Sequence, residues 1–261
     1  SVLGNTSSIE ALEVEAMREY HQQRYSSDNL VLAASGAVDF ESLIKSAHQL
    51  CGEWKPSPPN NRKVQFSTTQ SGIVTDVITR EQAALEYAIR MSPGPAEDTN
   101  DRFAAKLLAV VLGDDSGSRL YWDLVDSGKA EHAACNHHDF LDAGVFVTQL
   151  SCEPENTHAL LDRIVEIYQG AENGLSNNEV DQARNKLLSR VVLAGERPRQ
   201  RLFSLGLEWA HLGRYRSVPD DLATLDKISR EDLHRILAEW HLPASSSTVL
   251  AGPLLNDSSS S

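Results

Sequence analysis

The sequence predicts an α+β fold, a sheet with one covered face and helices packed against it, and three observations carry that expectation. Residues 72–80 and 83–91 alternate with period two, the second placing Leu85, Tyr87, Ile89 and Met91 on one face and Ala84, Glu86, Ala88 and Arg90 on the other. Later segments carry apolar stripes at helical spacing: Leu160, Leu161, Ile164, Val165 and Tyr168; Val180, Ala183, Leu187, Leu188 and Val191; Leu202, Leu205, Trp209 and Leu212. Two capping boxes, Ser176 with Glu179 and Ser229 with Asp232, mark helix starts.

Taken in order, Ser7 or Ser8 caps a helix over about 9–25, Asn29–Gly36 reads as a buried strand of Leu, Val and Ala, and Asp39 caps a second helix through about Leu50. Residues 53–63, EWKPSPPNNRK, hold three prolines and two adjacent asparagines among polar residues, and a domain boundary is expected there. The strands at 72–80 and 83–91 follow. Asp98 caps a helix that turns Phe103, Leu107, Leu108 and Val111 inward, and Gly113-Asp114-Asp115 stops it. Gly117–Ser127 makes another helix on Leu120, Tyr121 and Leu124, and strands are expected at about 131–138 and 144–152. The remainder is mostly helical, with a last strand at Thr248–Ala251 and a polar tail, 256–261, expected to be disordered.

At 261 residues the chain is long enough to bury a substantial core. A hydrophobic content of 41% with 23% charged residues is ordinary for a soluble globular protein, and no apolar run approaches the roughly 20 residues of a membrane span. The net charge of −13 argues against nucleic acid as a partner. Three scattered cysteines, Cys51, Cys135 and Cys152, do not make a disulfide framework. The opening SVLGNTSS shows no basic-and-apolar leader, which says little where the natural N-terminus lies upstream; a soluble protein, cytoplasmic or periplasmic, is expected, with the compartment left open.

The densest set of metal-ligand types is His132-x-x-Cys135-x-His137-His138-Asp139. Strand alternation places His132 and His138 on one face and Cys135, His137 and Asp139 on the other, short of the four-ligand set of a structural zinc. From Asp181 to Arg216 cations outnumber carboxylates, which suits an acidic partner surface or, more simply, solvated helix faces. Gly113–Gly117 is a turn between helices, without the Gly-Lys-Ser/Thr ending of a phosphate loop, and no Gly-x-Ser-x-Gly elbow occurs.

The order of pieces over 107–156 resembles the C-terminal, non-catalytic half of the M16 (insulinase/pitrilysin-like) zinc metallopeptidases. Its carriers are Leu112-Gly113, then Ser118-Arg119-Leu120, an amphipathic helix, two strands and Glu153-Pro154-Glu155. Residues 18–52, 175–206 and 227–237 follow the same family pattern. The resemblance implies an antiparallel sheet with helices on one face, the LuxS-MPP-like metallohydrolase fold. It also implies that residues 1–52 are the terminal helix–strand–helix of a preceding, truncated domain, 53–63 a linker, and 64–255 a complete C-terminal-type domain.

The family's activity rests on His-x-x-Glu-His, two imidazoles on one helix face holding zinc beside a general-base carboxylate. None of the 9 histidines stands in that pattern or in His-Glu-x-x-His. The resemblance therefore implies no catalytic and no metal residue in this chain, with zinc held by an absent N-terminal half. That half, in the same or another chain, and peptide substrates are the implied partners, and the cut edge of the preceding domain suggests self-association. Where active members carry a substrate-holding Arg and Tyr, this chain has Val125 and His132. Of these only His132 can hydrogen-bond a substrate carbonyl. The implied function is the substrate-enclosing wall of a peptide-degrading chamber; the alternatives are a non-catalytic subunit of a heterodimeric peptidase or a structural assembly protein of the same fold.

Overall fold

The computed structural model describes residues 2–57, 73–242, 244 and 246–253. Part of the expected linker (58–63), residues 64–72 and the tail at 256–261 lie outside the described residues. In chain order the elements are α1 (Thr6–Glu10), α2 (Val14–Arg24), α3 (Phe40–Cys51), β1 (Ile73–Thr79), β2 (Glu86–Gly94), α4 (Asp101–Gly113), a π-helical turn (Tyr121–Val125), β3 (His132–Asp139), β4 (Gly144–Cys152), a 3-10 turn (Pro154–Asn156), α5 (Thr157–Gly174), α6 (Asn177–Glu196), α7 (Pro198–Leu212), α8 (Val218–Asp226), α9 (Arg230–Trp240) and β5 (Ser246–Gly252). They fall into two compact units: residues 2–57 with 195–215, and residues 73–194 with 216–253.

In the first unit the expected helix 9–25 is two helices. Asn5, not Ser7 or Ser8, is the cap, and its side chain and that of Ser8 exchange hydrogen bonds with each other's backbone N–H. Glu13, in extended conformation, then restarts the chain as α2. Asp39 caps α3 through the Ser42 N–H at 2.7 Å, as the sequence indicates. Asn29–Gly36 is not a strand: no described strand pairs with it. No buried residue occurs in α1, α2, α3 or α7, and the Leu202–Leu212 stripe stays partly exposed.

The second unit is a five-stranded sheet of order β1-β5-β2-β4-β3. Every neighbouring pair is antiparallel except β1 and β5, which are parallel because β5 enters between the first two strands after the whole helical region has passed. Pro93 lies beyond Met91, where the pairing of β2 with β5 stops, so its missing N–H costs no bond on that side. The core joins Ala88, Ala133, Cys135, Phe146, Leu150 and Leu250 of the sheet to α4, α5, α6, α8 and α9. Leu107, Leu108, Leu112, Leu120, Leu124, Ile164, Leu233, Ile236 and Leu237 are fully buried there, each contributing about 2 kcal/mol. Gly113 lets α4 approach β3 closely: a Cβ there would stand 2.1 Å from the Cys135 nitrogen.

Two helix boundaries differ from expectation. α4 starts after Asn100 rather than at an Asp98 cap; residues 96–99 form a turn held by the Thr99 hydroxyl on the Ala96 carbonyl, 3.0 Å. Asp101 then supplies the acidic first turn and takes two 2.8 Å bonds from Arg235 of α9. The predicted helix over Gly117–Ser127 becomes a π turn, with the Asp126 N–H on the Tyr121 carbonyl at 2.8 Å. Leu120 and Leu124 still reach the core, and Asp123 is clamped by Arg163 at 2.6 and 3.0 Å.

Candidate functional site: the open face of the sheet

Helices cover one face of the sheet, and β2 meets them with its polar side. Glu86, Ala88, Arg90, Ser92 and Gly94 are buried, whereas Tyr87, Ile89 and Met91 are 54%, 40% and 47% exposed. The apolar half of the alternation therefore faces outward, opposite to what burial of apolar surface alone dictates. The covered polar side chains are accommodated locally. The Ser92 hydroxyl donates to the Leu242 carbonyl at 3.1 Å, and Arg90 lies in the field of Tyr168 and Asp162. Burial lowers the Arg90 pKa, the cost of taking a guanidinium under a helical layer.

Register extends the outward face across the strands. Ile78, Ala251, Tyr87, Ser151 and His132 stand side by side in one row; Asp76, Val249, Ile89, Gln149 and Ala134 form the next; Ser247, Met91, Val147 and Asn136 the third. Exposed apolar groups from β1, β5 and β2 thus form a continuous strip that carries no charge except Asp76.

Of the two residues at the family's substrate-holding positions, His132 is exposed at the start of the edge strand β3, opposite Ser151 on this open face. Val125 ends the π turn and is partly buried against the helical core. An aliphatic side chain packed there cannot offer a hydrogen bond.

The His/Cys/Asp run on β3 is split as its alternation indicates. His132 and His138 are exposed on the open side; Cys135 and His137 are buried on the other. Burial pushes the Cys135 thiol up to about 11 and the His137 imidazole down to about 4. Burial would raise Asp139 too, but Lys106 at 2.8 Å and Arg102 at 3.5 Å hold its carboxyl below the usual range. Split between the two faces of the strand, and with Asp139 held by Lys106 and Arg102, these side chains do not present the four-ligand set of a structural zinc. Among the described residues no group of three or more His, Cys, Asp or Glu side chains converges.

Half of the basic stretch is paired within the fold. Lys186 and Arg190 reach Asp114 at 3.0 and 2.5 Å, and Lys186 also donates to the Ser116 carbonyl. Arg184 pairs with Asp181 and donates to the Ile228 carbonyl at 2.7 Å, and Arg216 pairs with Asp221 at 2.9 Å. Sequence reasoning did not locate the support beneath the sheet, where the Tyr168 and Thr148 hydroxyls are 2.7 Å apart and next to Cys135. The available signal was a Tyr at the inward position of an otherwise aliphatic stripe, since a buried phenol needs a partner.

The chain belongs to the M16 peptidase family: the model of the peptidase M16 inactive domain matches residues 11–187. It is 22% identical to the mitochondrial-processing peptidase subunit beta of Dictyostelium discoideum over 98% of this chain and 57% of that protein. It is 26% identical to an uncharacterized zinc protease of Streptomyces coelicolor over 97% of this chain and 56% of that protein. The chain thus spans little more than half the length of these relatives. The crystal structure of a peptidase M16 inactive domain from Pseudomonas fluorescens superposes with a TM-score of 0.84 at 18% identity, covering 97% of this chain and 60% of that one, which establishes the fold.

Proposed function

We propose that this chain is the non-catalytic C-terminal portion of a zinc metallopeptidase, and that the open face of its sheet is the wall of a chamber enclosing an unfolded peptide. The observation that carries this reading is the outward apolar strip of Ile78, Val249, Tyr87, Ile89 and Met91, with His132 at the end of its first row. Contiguous apolar sheet surface is retained against solvent where a ligand or partner covers it. Extended peptide fits such a strip because its side chains also alternate. Zinc and the general-base carboxylate belong, on this reading, to an N-terminal half in the same or another chain, so the isolated chain cleaves nothing.

The test uses the full-length native polypeptide. Metal content and cleavage of unstructured peptides are measured with and without a chelator, beside Ile89→Lys and Met91→Lys variants. The expected outcome is zinc-dependent cleavage whose KM rises about tenfold or more in the variants while zinc content stays fixed, the cost of a few contacts of about 1 kcal/mol each. Unchanged KM would remove the sheet face from the substrate path.

Val125 favours a second reading, in which the chain serves a catalytic partner subunit or a structural assembly of the same fold. An aliphatic residue packed at the clamping position suits a protein that does not hold substrate for cleavage. Absence of zinc from the full-length polypeptide would select it.

A further inference from the structure

Asn173-Gly174 is the one Asn-Gly pair in the 261 residues, and it ends α5. The pair matters chemically because the backbone nitrogen after an asparagine can attack that residue's own carboxamide. A following glycine, with no Cβ, leaves this nitrogen unshielded and the backbone free to turn toward the attack. Both residues are exposed. In the interior of a helix the reaction is blocked, since the N–H is committed to the carbonyl four residues back and ψ is fixed. Here that restraint is weak. The α-helical pattern gives the Gly174 N–H to Gly170, so both partners in this last turn are glycines, and a Cβ added at either would meet nothing within 4 Å. The turn is held instead at its two flanks: His234 Nδ1 stands 2.8 Å from the Glu172 carbonyl, and Arg119 donates to the Gly174 carbonyl at 2.5 Å. Arg119 also donates to Glu179 at 2.7 Å, and Glu179 accepts from the Ser176 N–H, so this corner joins α5 to the start of α6.

We infer that Asn173 is a site of spontaneous deamidation, gated by fraying of the last turn of α5. Once that turn opens, a solvent base takes the Gly174 amide proton and the nitrogen attacks Asn173 Cγ. The new C–N bond expels the side-chain nitrogen as ammonia, leaving a five-membered imide. Water opens the imide at either carbonyl, giving aspartate or isoaspartate. The step needs no oxidant, metal or second protein, and both reacting groups belong to adjacent residues of this chain. Aspartate adds a negative charge at a helix C-terminus, where the macrodipole is already negative. Isoaspartate lengthens the backbone by one carbon between two anchored carbonyls and draws Gly174 away from Arg119, the contact that ties α5 to α6. The inference does not rest on the chamber-wall reading, which concerns the opposite face of the sheet.

The test ages the full-length native polypeptide at mildly alkaline pH and follows each asparagine by peptide mass spectrometry, which reads the amide-to-acid mass gain and resolves isoaspartate. Asn173 converts about tenfold or more faster than Asn178 and Asn185, which are also exposed but lie inside α6 before Glu179 and Lys186. Gly170→Ala leaves the reacting pair untouched and strengthens the last turn, so it slows conversion about fivefold, the worth of one glycine-to-alanine change in a helix. Gly174→Ala removes the unshielded nitrogen as well and slows it further. Both sites have open space for the added methyl, so both variants fold, and an unfolding midpoint no lower than that of the wild type checks this. Conversion of Asn173 no faster than that of Asn178 and Asn185 overturns the proposal. Conversion at an unchanged rate in Gly170→Ala overturns the gate.

Discussion

Buried beside Phe146 with 4.8 Å between ring centroids, His137 lies in the field of Asp139 and Lys106 and, across the strand, of His138, and burial is the largest influence on it. Its folded pKa of about 4 lies below the ordinary 6.5. Between those values the unfolded chain binds the extra proton and the folded chain does not, so stability is complete above pH 6.5 and declines as pH falls toward 4. The ion-paired carboxylates lose their contribution at lower pH, because Asp101, Asp114 and Asp139 all titrate below the usual carboxylate range. His137→Phe should flatten the decline above pH 4 in urea-unfolding midpoints measured against pH; an unaltered slope would place the titrating group elsewhere. At this scale the faces of His132, Cys135, His137 and His138 were legible in the sequence, because strand periodicity is enforced by the pleat. The burial of Arg90 was not, since it depends on a phenol and a carboxylate reaching it from α5.

Helix starts that depend on adjacent residues were legible. The Ser176–Glu179 and Ser229–Asp232 boxes both form, the second with Ser229 Oγ accepting from Asp232 N–H at 3.2 Å and the Asp232 carboxylate returning to the Ser229 N–H at 2.9 Å. Ser229→Ala should destabilise the protein by about 1 kcal/mol, read as a lower unfolding midpoint at unchanged m-value. A change within error would mean that packing of Leu233, Ile236 and Leu237 alone fixes α9. Elements set by remote contacts were not legible. The π turn at Tyr121–Val125 is fastened by Arg163, 40 residues on, and the 29–36 segment has strand composition without a described strand beside it. Which side of β2 is covered was not legible for the same reason: alternation shows that two faces differ, but the covered one depends on what the helices bring.

For the whole molecule, burial is concentrated in one unit. Amides of β2, β4, α4 and α9 should exchange only through global unfolding, while those of α2 and α3 exchange through local opening of far lower free energy. Hydrogen exchange read by mass spectrometry checks this, and brief proteolysis should cut within residues 2–57 first. Equal protection in both units would show that the first gains stability from contacts its own side chains do not explain.

The strand order carries a last consequence, for synthesis. β5 lies between β1 and β2, so neither can take its final neighbour until residues 246–252 have been made. A chain on the ribosome with residues 246–252 still inside the exit tunnel holds β2, β4 and β3 with an open gap along β2 and β1 unattached. Closure of the sheet therefore waits for residues 246–252, and loss of that one strand deprives two others of their shared partner at once.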